Sequence, residues 1–169
     1  MTTHALPPSR PLRLPALVGS VIFTFLFAAI GAFATAQAGL FYQRLDRPEW
    51  APPAWLFGPA WTLLYALMAV AAWRVYRTAA ERSVRPEMTL YVVQLVLNAL
   101  WSWLFFASHN GPLAFAEIIV LWLAIAATIV AFGRRDRLAG LLLLPYIAWV
   151  TFAGALCYSI WQRNPAVLG

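Results

Sequence analysis

The sequence predicts an all-α membrane protein, a bundle of five transmembrane helices, and three observations predict it. Hydrophobic residues make up 63% of the chain and charged residues only 11%, against about 45–50% and about 25% in soluble domains. The charged residues are clustered, leaving apolar stretches near 16–38, 55–76, 88–107, 112–133 and 138–161, each long enough to cross about 30 Å of hydrocarbon. Those stretches are continuously apolar instead of alternating. That excludes barrel strands, whereas a helix satisfies its own backbone hydrogen bonds in lipid.

Residues 1–14, with Pro7, Pro8 and Pro11, read as a disordered tail, and residues 15–165 as one membrane domain. Arg10 and Arg13 ahead of the first span, with Ala34-Thr35-Ala36 and Ala36-Gln37-Ala38 at its end, imitate a cleavable secretory signal. The apolar run from Pro15 to Ala36 is too long for that, so an uncleaved first helix is expected, and a mature N-terminus near Gly39 by mass spectrometry would remove it. The segment from about Gly39 to Ala54 combines Tyr42, Trp50 and Trp55 with Pro48, Pro52 and Pro53, which suits a stiff, partly inserted lid at interfacial depth. Arg77 to Glu87 reads as a charged turn. Ser108 to Gly111 is so short that the third and fourth helices must be antiparallel neighbours, with Pro112 in a first helical turn. Pro145 lies one turn inside the fifth span and is placed to kink it. No internal repeat supports an inverted-repeat transporter.

Arginine supplies all twelve basic residues, in a formal net charge of +6. Arg10, Arg13, Arg74, Arg77, Arg82, Arg85, Arg134, Arg135 and Arg137 fall on one side, and Arg44, Arg47 and Arg163 on the other. By the positive-inside rule this places the N-terminus in the cytoplasm and the C-terminus outside. The basic balance is therefore topological, and no nucleic-acid partner is expected. The one cysteine, Cys157, forbids an internal disulfide and offers no metal cluster.

The polar and aromatic residues fall in stripes. Tyr91, Gln94, Asn98, Trp101 and Phe105 recur at three or four residues in the third span, placing two amides and three rings on one face. In the fifth span Tyr146, Trp149, Ala153, Cys157 and Ile160 do the same, and in the second span Trp61, Tyr65 and Met68. Amides in hydrocarbon must face protein or ligand. The stripes either pack as core or line one cavity. Nine tryptophans, among them Trp61, Trp101, Trp122 and Trp149 within or near spans, exceed what two interfacial belts need and favour a dry pocket for a large planar apolar ligand.

Glu117 is the acidic residue within a span; it is either functional at depth or an ordinary position near a helix start. His109, in the tight third loop, reads as a solvated turn residue sooner than a haem ligand. There is no C-x-x-C-H, no paired histidines, no phosphate loop and no Ser/His/Asp set, so conventional enzyme machinery is absent. A sterol-contact pattern fits three separate segments, around Tyr42, Tyr76 and Tyr158, and is too permissive to carry weight.

The run from Leu45 to Tyr65, LDRPEWAPPAWLFGPAWTLLY, closely resembles the signature of the TspO/MBR family of tryptophan-rich sensory proteins, relatives of the mitochondrial translocator protein. The resemblance continues through Gln94 to Trp101 (QLVLNALW), Phe105-Phe106, Trp122, Pro145 to Trp149 (PYIAW), Phe152-Ala153 and Trp161, covering about residues 16–165. It implies a five-helix bundle, often a homodimer, whose pocket beneath the first loop binds porphyrins, haem and sterol-like or isoquinoline ligands. The matched pocket positions are Tyr42, Trp50, Trp61, Asn98, Trp149 and Ala153, with Pro52 and Pro53 shaping the lid; Trp101 and Cys157 join them from the stripes. Three positions depart from the family: Phe41 where Trp is frequent, Arg47 where Lys is common, and Cys157 where an Asn is usual. Losing that amide removes a donor and an acceptor; Cys157 is then a packing group or an oxidisable one.

The leading expectation is a membrane receptor or sensor for tetrapyrroles. The family's link to light-dependent porphyrin breakdown supplies an enzymatic alternative, and transport ranks lowest because five helices lack an ion-coupling carboxylate pair. No obligatory cofactor is called for; porphyrin or haem enters as ligand. The small-residue face of Ala116, Ala124, Ala127 and Ala131 allows close approach of a second copy or packing within one bundle.

Overall fold

The computed structural model describes residues 14–36, 38–79 and 83–169, and every regular element among them is helical. The tail read over residues 1–14, with Arg10 and Arg13, lies outside the described residues apart from Leu14, as does Arg82. The helices are α1 (Leu14–Ala34), α2 (Ala38–Arg44), α3 (Phe57–Tyr76), α4 (Arg85–Ser102), α5 (Gly111–Arg135), α6 (Arg137–Leu142), α7 (Leu144–Arg163) and α8 (Pro165–Leu168). A 3-10 turn, Ala54–Leu56, leads into α3, and a π-helical turn, Trp103–Ala107, ends α4. Five segments are long and apolar enough to cross a membrane: Leu14–Ala34, Ala54–Tyr76, Arg85–Ala107, Gly111–Arg135 and Arg137–Arg163.

Local chemistry sets these limits. The first span stops at Ala34, short of the expected residue 38, because Thr35 turns back onto the carbonyl of Ala32 through both its amide and its hydroxyl, each at 3.0 Å. The segment after it is consequently not a bare loop: α2 occupies its first part. Asn110 caps α5, its side chain accepting the Leu113 amide at 2.9 Å, and Pro112 occupies the first turn, where a missing N–H costs nothing. Pro145 has a larger effect than a bend. The chain breaks at Leu143 into α6 and α7, with Pro145 in the first turn of α7.

That break decides the packing. Its first piece, α6, packs on α3 and α5, while α7 packs on α5; α4 packs on α5, and α1 spans α3 and α4. Polar groups in the spans are used between helices, as hydrocarbon requires. Ser20 donates to the Ala69 carbonyl at 2.7 Å, and the hydroxyls of Thr24 and Tyr91 pair at 2.7 Å. On the outside of α1, Val18, Ile22, Leu26, Ile30 and Phe33 form an exposed apolar strip suited to lipid.

The arginine-rich end is closed by ion pairs. Asp136 caps α6 by accepting the Ala139 amide at 3.1 Å and binds Arg74 of α3 at 2.8 Å. Arg135 reaches Glu87 at the start of α4 at 2.7 Å and also donates to the Ser83 carbonyl. Between these pairs α6 lies directly on α5. A Cβ at Gly140 would stand 2.9 Å from Gly133 Cα and 3.1 Å from the Ile129 carbonyl oxygen, so only glycine fits. Below them the core is tight, with Met68, Val75, Leu95, Ile125 and Phe132 fully buried.

Candidate ligand-binding cavity

Towards the opposite end the bundle is not filled. A cavity of about 570 Å³ lies among α1, α3, α4 and α7, with α2 and the 3-10 turn at its outer end, within the roughly 300–1,000 Å³ of small-molecule sites. The sequence stripes divide there. Of the third-span stripe, Asn98 and Trp101 line the cavity, whereas Tyr91, Gln94 and Phe105 are buried in packing around it. Trp61 and Tyr65 line it from α3 while Met68 is core; Trp149 and Ala153 line it from α7 while Tyr146 and Ile160 do not. Spacing of three or four puts residues on one face, but a face one helix long meets both a cavity and a core.

The walls are mostly ring surface. Trp61 lies 5.7 Å from Tyr65 and 6.2 Å from Tyr146, and Trp149 lies 6.0 Å from Phe57 at 77°. Trp149 also borders an apolar groove between α3 and α7 with Leu63, Pro145 and Phe152, so its ring partitions that groove from the cavity. Polar groups are few and definite. The Tyr65 hydroxyl donates to Asn98 Oδ1. The Trp149 indole N–H is buried with no acceptor among the described residues. Trp101 N–H is likewise buried without an acceptor among the described residues, its ring packed against the cluster that holds Cys157. Cys157 therefore does not line the cavity; it stands behind Trp101, in an apolar cluster with Tyr42, Leu45, Phe105 and Leu168.

The segment after α2 covers the outer end as a lid. Tyr42, buried, lines the cavity and donates its hydroxyl to the Pro52 carbonyl at 3.0 Å. Arg47 sits 4.8 Å above the Tyr42 ring. Burial pushes the Tyr42 phenol above its ordinary value, against the smaller opposing pull of Arg47, so it stays a donor at neutral pH. Trp50 does not line the cavity: it is 52% exposed and meets Phe152 edge-on at 5.8 Å. Pro52 and Pro53 likewise shape the lid from outside, Pro52 through its carbonyl and Pro53 by leading into the 3-10 turn.

Sequence reasoning missed α1 altogether. Phe25, Ala28, Gly31, Ala32 and Thr35 make a full wall, and the signal was small residues at helical spacing, which leave room where larger ones would fill it. On this side Ala29, Ala32, Gly39, Gly58 and Thr62 are exposed, so the cavity meets the surface between α1 and α3. Glu117 faces into the bundle at 8% exposure, with neither carboxyl oxygen hydrogen-bonded among the described residues, within electrostatic reach of Tyr146 and Cys157. His109 is exposed at a left-handed φ of 49° and stacks on Phe41 at 4.2 Å, outside the cavity. Trp122 is outside too, donating to Thr151 at 2.9 Å across α5 and α7.

Ring surface with few polar groups suits a planar, mostly apolar small molecule. Among the described residues, no histidine, cysteine or methionine lines the cavity.

Comparison with known proteins agrees with this architecture. The TspO/MBR family model matches residues 20–162. The chain is 39% identical to Protein CrtK of Rhodobacter capsulatus over 86% of its own length and 92% of that protein. It is 40% identical to the tryptophan-rich sensory protein of Cereibacter sphaeroides, again over 86% and 92%. Against the human translocator protein the identity is 35% over 91% of this chain and 92% of the relative.

Proposed function

Because the chain belongs to the TspO/MBR family, and is an integral multi-pass membrane protein, we propose that it is a membrane receptor that holds a porphyrin in the cavity under its lid. The single observation that carries this reading is the cavity itself. Its size and its ring-faced walls suit a planar, mostly apolar ligand. Burial of a macrocycle's apolar faces contributes about 25 cal/mol per Å², and the ring of Trp149 offers a stacking surface on the wall. Protoporphyrin, and haem with less help from the walls, meet that description. The arginine-rich end, with Arg74, Arg85, Arg135 and Arg137, lies on the cytoplasmic side in this reading.

Titrating detergent-purified protein with protoporphyrin in the dark tests it: tryptophan fluorescence should quench to saturation, and Trp149→Ala should weaken binding several-fold. An unsaturable titration, or one that Trp149→Ala leaves alone, overturns the site. Light-dependent porphyrin breakdown is the second reading, favoured by the redox-active rings of Trp61, Trp101 and Trp149 on the cavity wall. Illuminating the bound pigment separates the two, since a receptor leaves its absorbance at the rate of the free-pigment control.

A further inference from the structure

We propose that Asn164 is the positioning residue of the lid: its side-chain amide, at the end of α7, clamps the lid backbone at Asp46 and so governs how fast the cavity opens to its outer side. The geometry is reciprocal. The Asp46 amide donates to Asn164 Oδ1 at 2.9 Å, and Asn164 Nδ2 donates back to the Asp46 carbonyl at 2.8 Å, across 118 positions of sequence. The same Nδ2 also donates to the Ile160 carbonyl at 2.8 Å, which fixes the amide to the helix it ends. A primary amide carries its donor and its acceptor on separate atoms, so it can bind the N–H and the C=O of one residue at once.

The clamp acts where the lid enters the bundle. Leu45, next to Asp46, is buried in the cluster with Tyr42 and Cys157, and Tyr42 in turn holds the Pro52 carbonyl from below. Asn164 therefore pins one end of the lid and Tyr42 the other, with Trp50 resting on Phe152 between them. Charge contributes little: Arg163 approaches the Asp46 carboxylate only to 3.8 Å, with both side chains largely exposed.

This inference rests on the tetrapyrrole reading only for the choice of probe. Asn164→Ala removes both clamp bonds, and at typical worth these predict opening about tenfold more frequent. Hydrogen exchange at the amides of residues 45–53 should quicken about tenfold while those of residues 150–160 hold. Maleimide labelling of Cys157, the chain's one thiol, should quicken in step, as should dissociation of protoporphyrin; Arg163→Ala should leave all three near wild type. Unchanged lid exchange, or equal loosening of α7, overturns the clamp. Faster lid exchange with unchanged porphyrin dissociation overturns its control of the cavity and assigns ligand exit to the gap between α1 and α3. If wild type binds no porphyrin, the receptor reading falls, and lid exchange with Cys157 labelling still decides the clamp.

Discussion

The two ends of the bundle solve opposite problems. At the arginine-rich end, α3, α4, α5 and α6 are joined by the Arg74–Asp136 and Arg135–Glu87 pairs and by the Gly133–Gly140 approach, over fully buried side chains such as Val75 and Phe132. At the lid end, α1, α3, α4 and α7 leave about 570 Å³ open, and a few hydrogen bonds from Tyr42 and Asn164 close it. The contrast teaches that stability and binding are spatially separated. One end carries the fold and frees the other to keep a void, which costs stability where no ligand fills it.

The largest expected effect comes from the closed end. Asp136→Ala removes an ion-pair partner and a helix cap together and should cost about 3–5 kcal/mol, read as a lower unfolding midpoint in detergent, while protoporphyrin affinity of the folded fraction stays near wild type. Gly140→Ala should follow at about 1–3 kcal/mol, because the new methyl meets backbone that cannot swing aside. A loss of ligand affinity in either variant would break the separation.

Smaller effects sharpen it from the other side. Trp149→Phe keeps a ring but shrinks the stacking surface, so porphyrin affinity should fall a few-fold with only a small shift of the unfolding midpoint. Tyr42→Phe should speed porphyrin release by a few-fold through loss of the Pro52 contact. The pH dependence has a definite sign. Because burial raises the Tyr42 phenol above 10.0, the folded lid favours the protonated form; its contribution is complete at neutral pH and lost as pH rises through the raised value. Release should be flat from about pH 6 to 9 and quicken at higher pH, and Tyr42→Phe should abolish that limb.

Much of this was legible in the sequence because hydrocarbon is an unforgiving solvent. Five apolar runs, few charges and arginines at their ends leave a helical bundle as the economical arrangement, and Pro112 and Pro145 mark a helix start and a bend by backbone chemistry alone. Trp61, Asn98, Trp101, Trp149 and Ala153 were legible as inward-facing for the same reason. The sequence by itself thus determined the five spans, most of the residues that turn inward and where the chain must bend. Only the tertiary structure decided which inward residues meet a cavity and which meet a core: Asn98 lines space where Gln94, one turn away, is packed against Met68. It decided as well that small residues of α1 form a wall, that Cys157 stands behind Trp101, and that Asn164 reaches Asp46. The physical reason is that a void is a property of several helices at once. Periodicity reports the direction of a side chain from its own axis, while the break at Leu143 and the placement of neighbouring helices set what lies there.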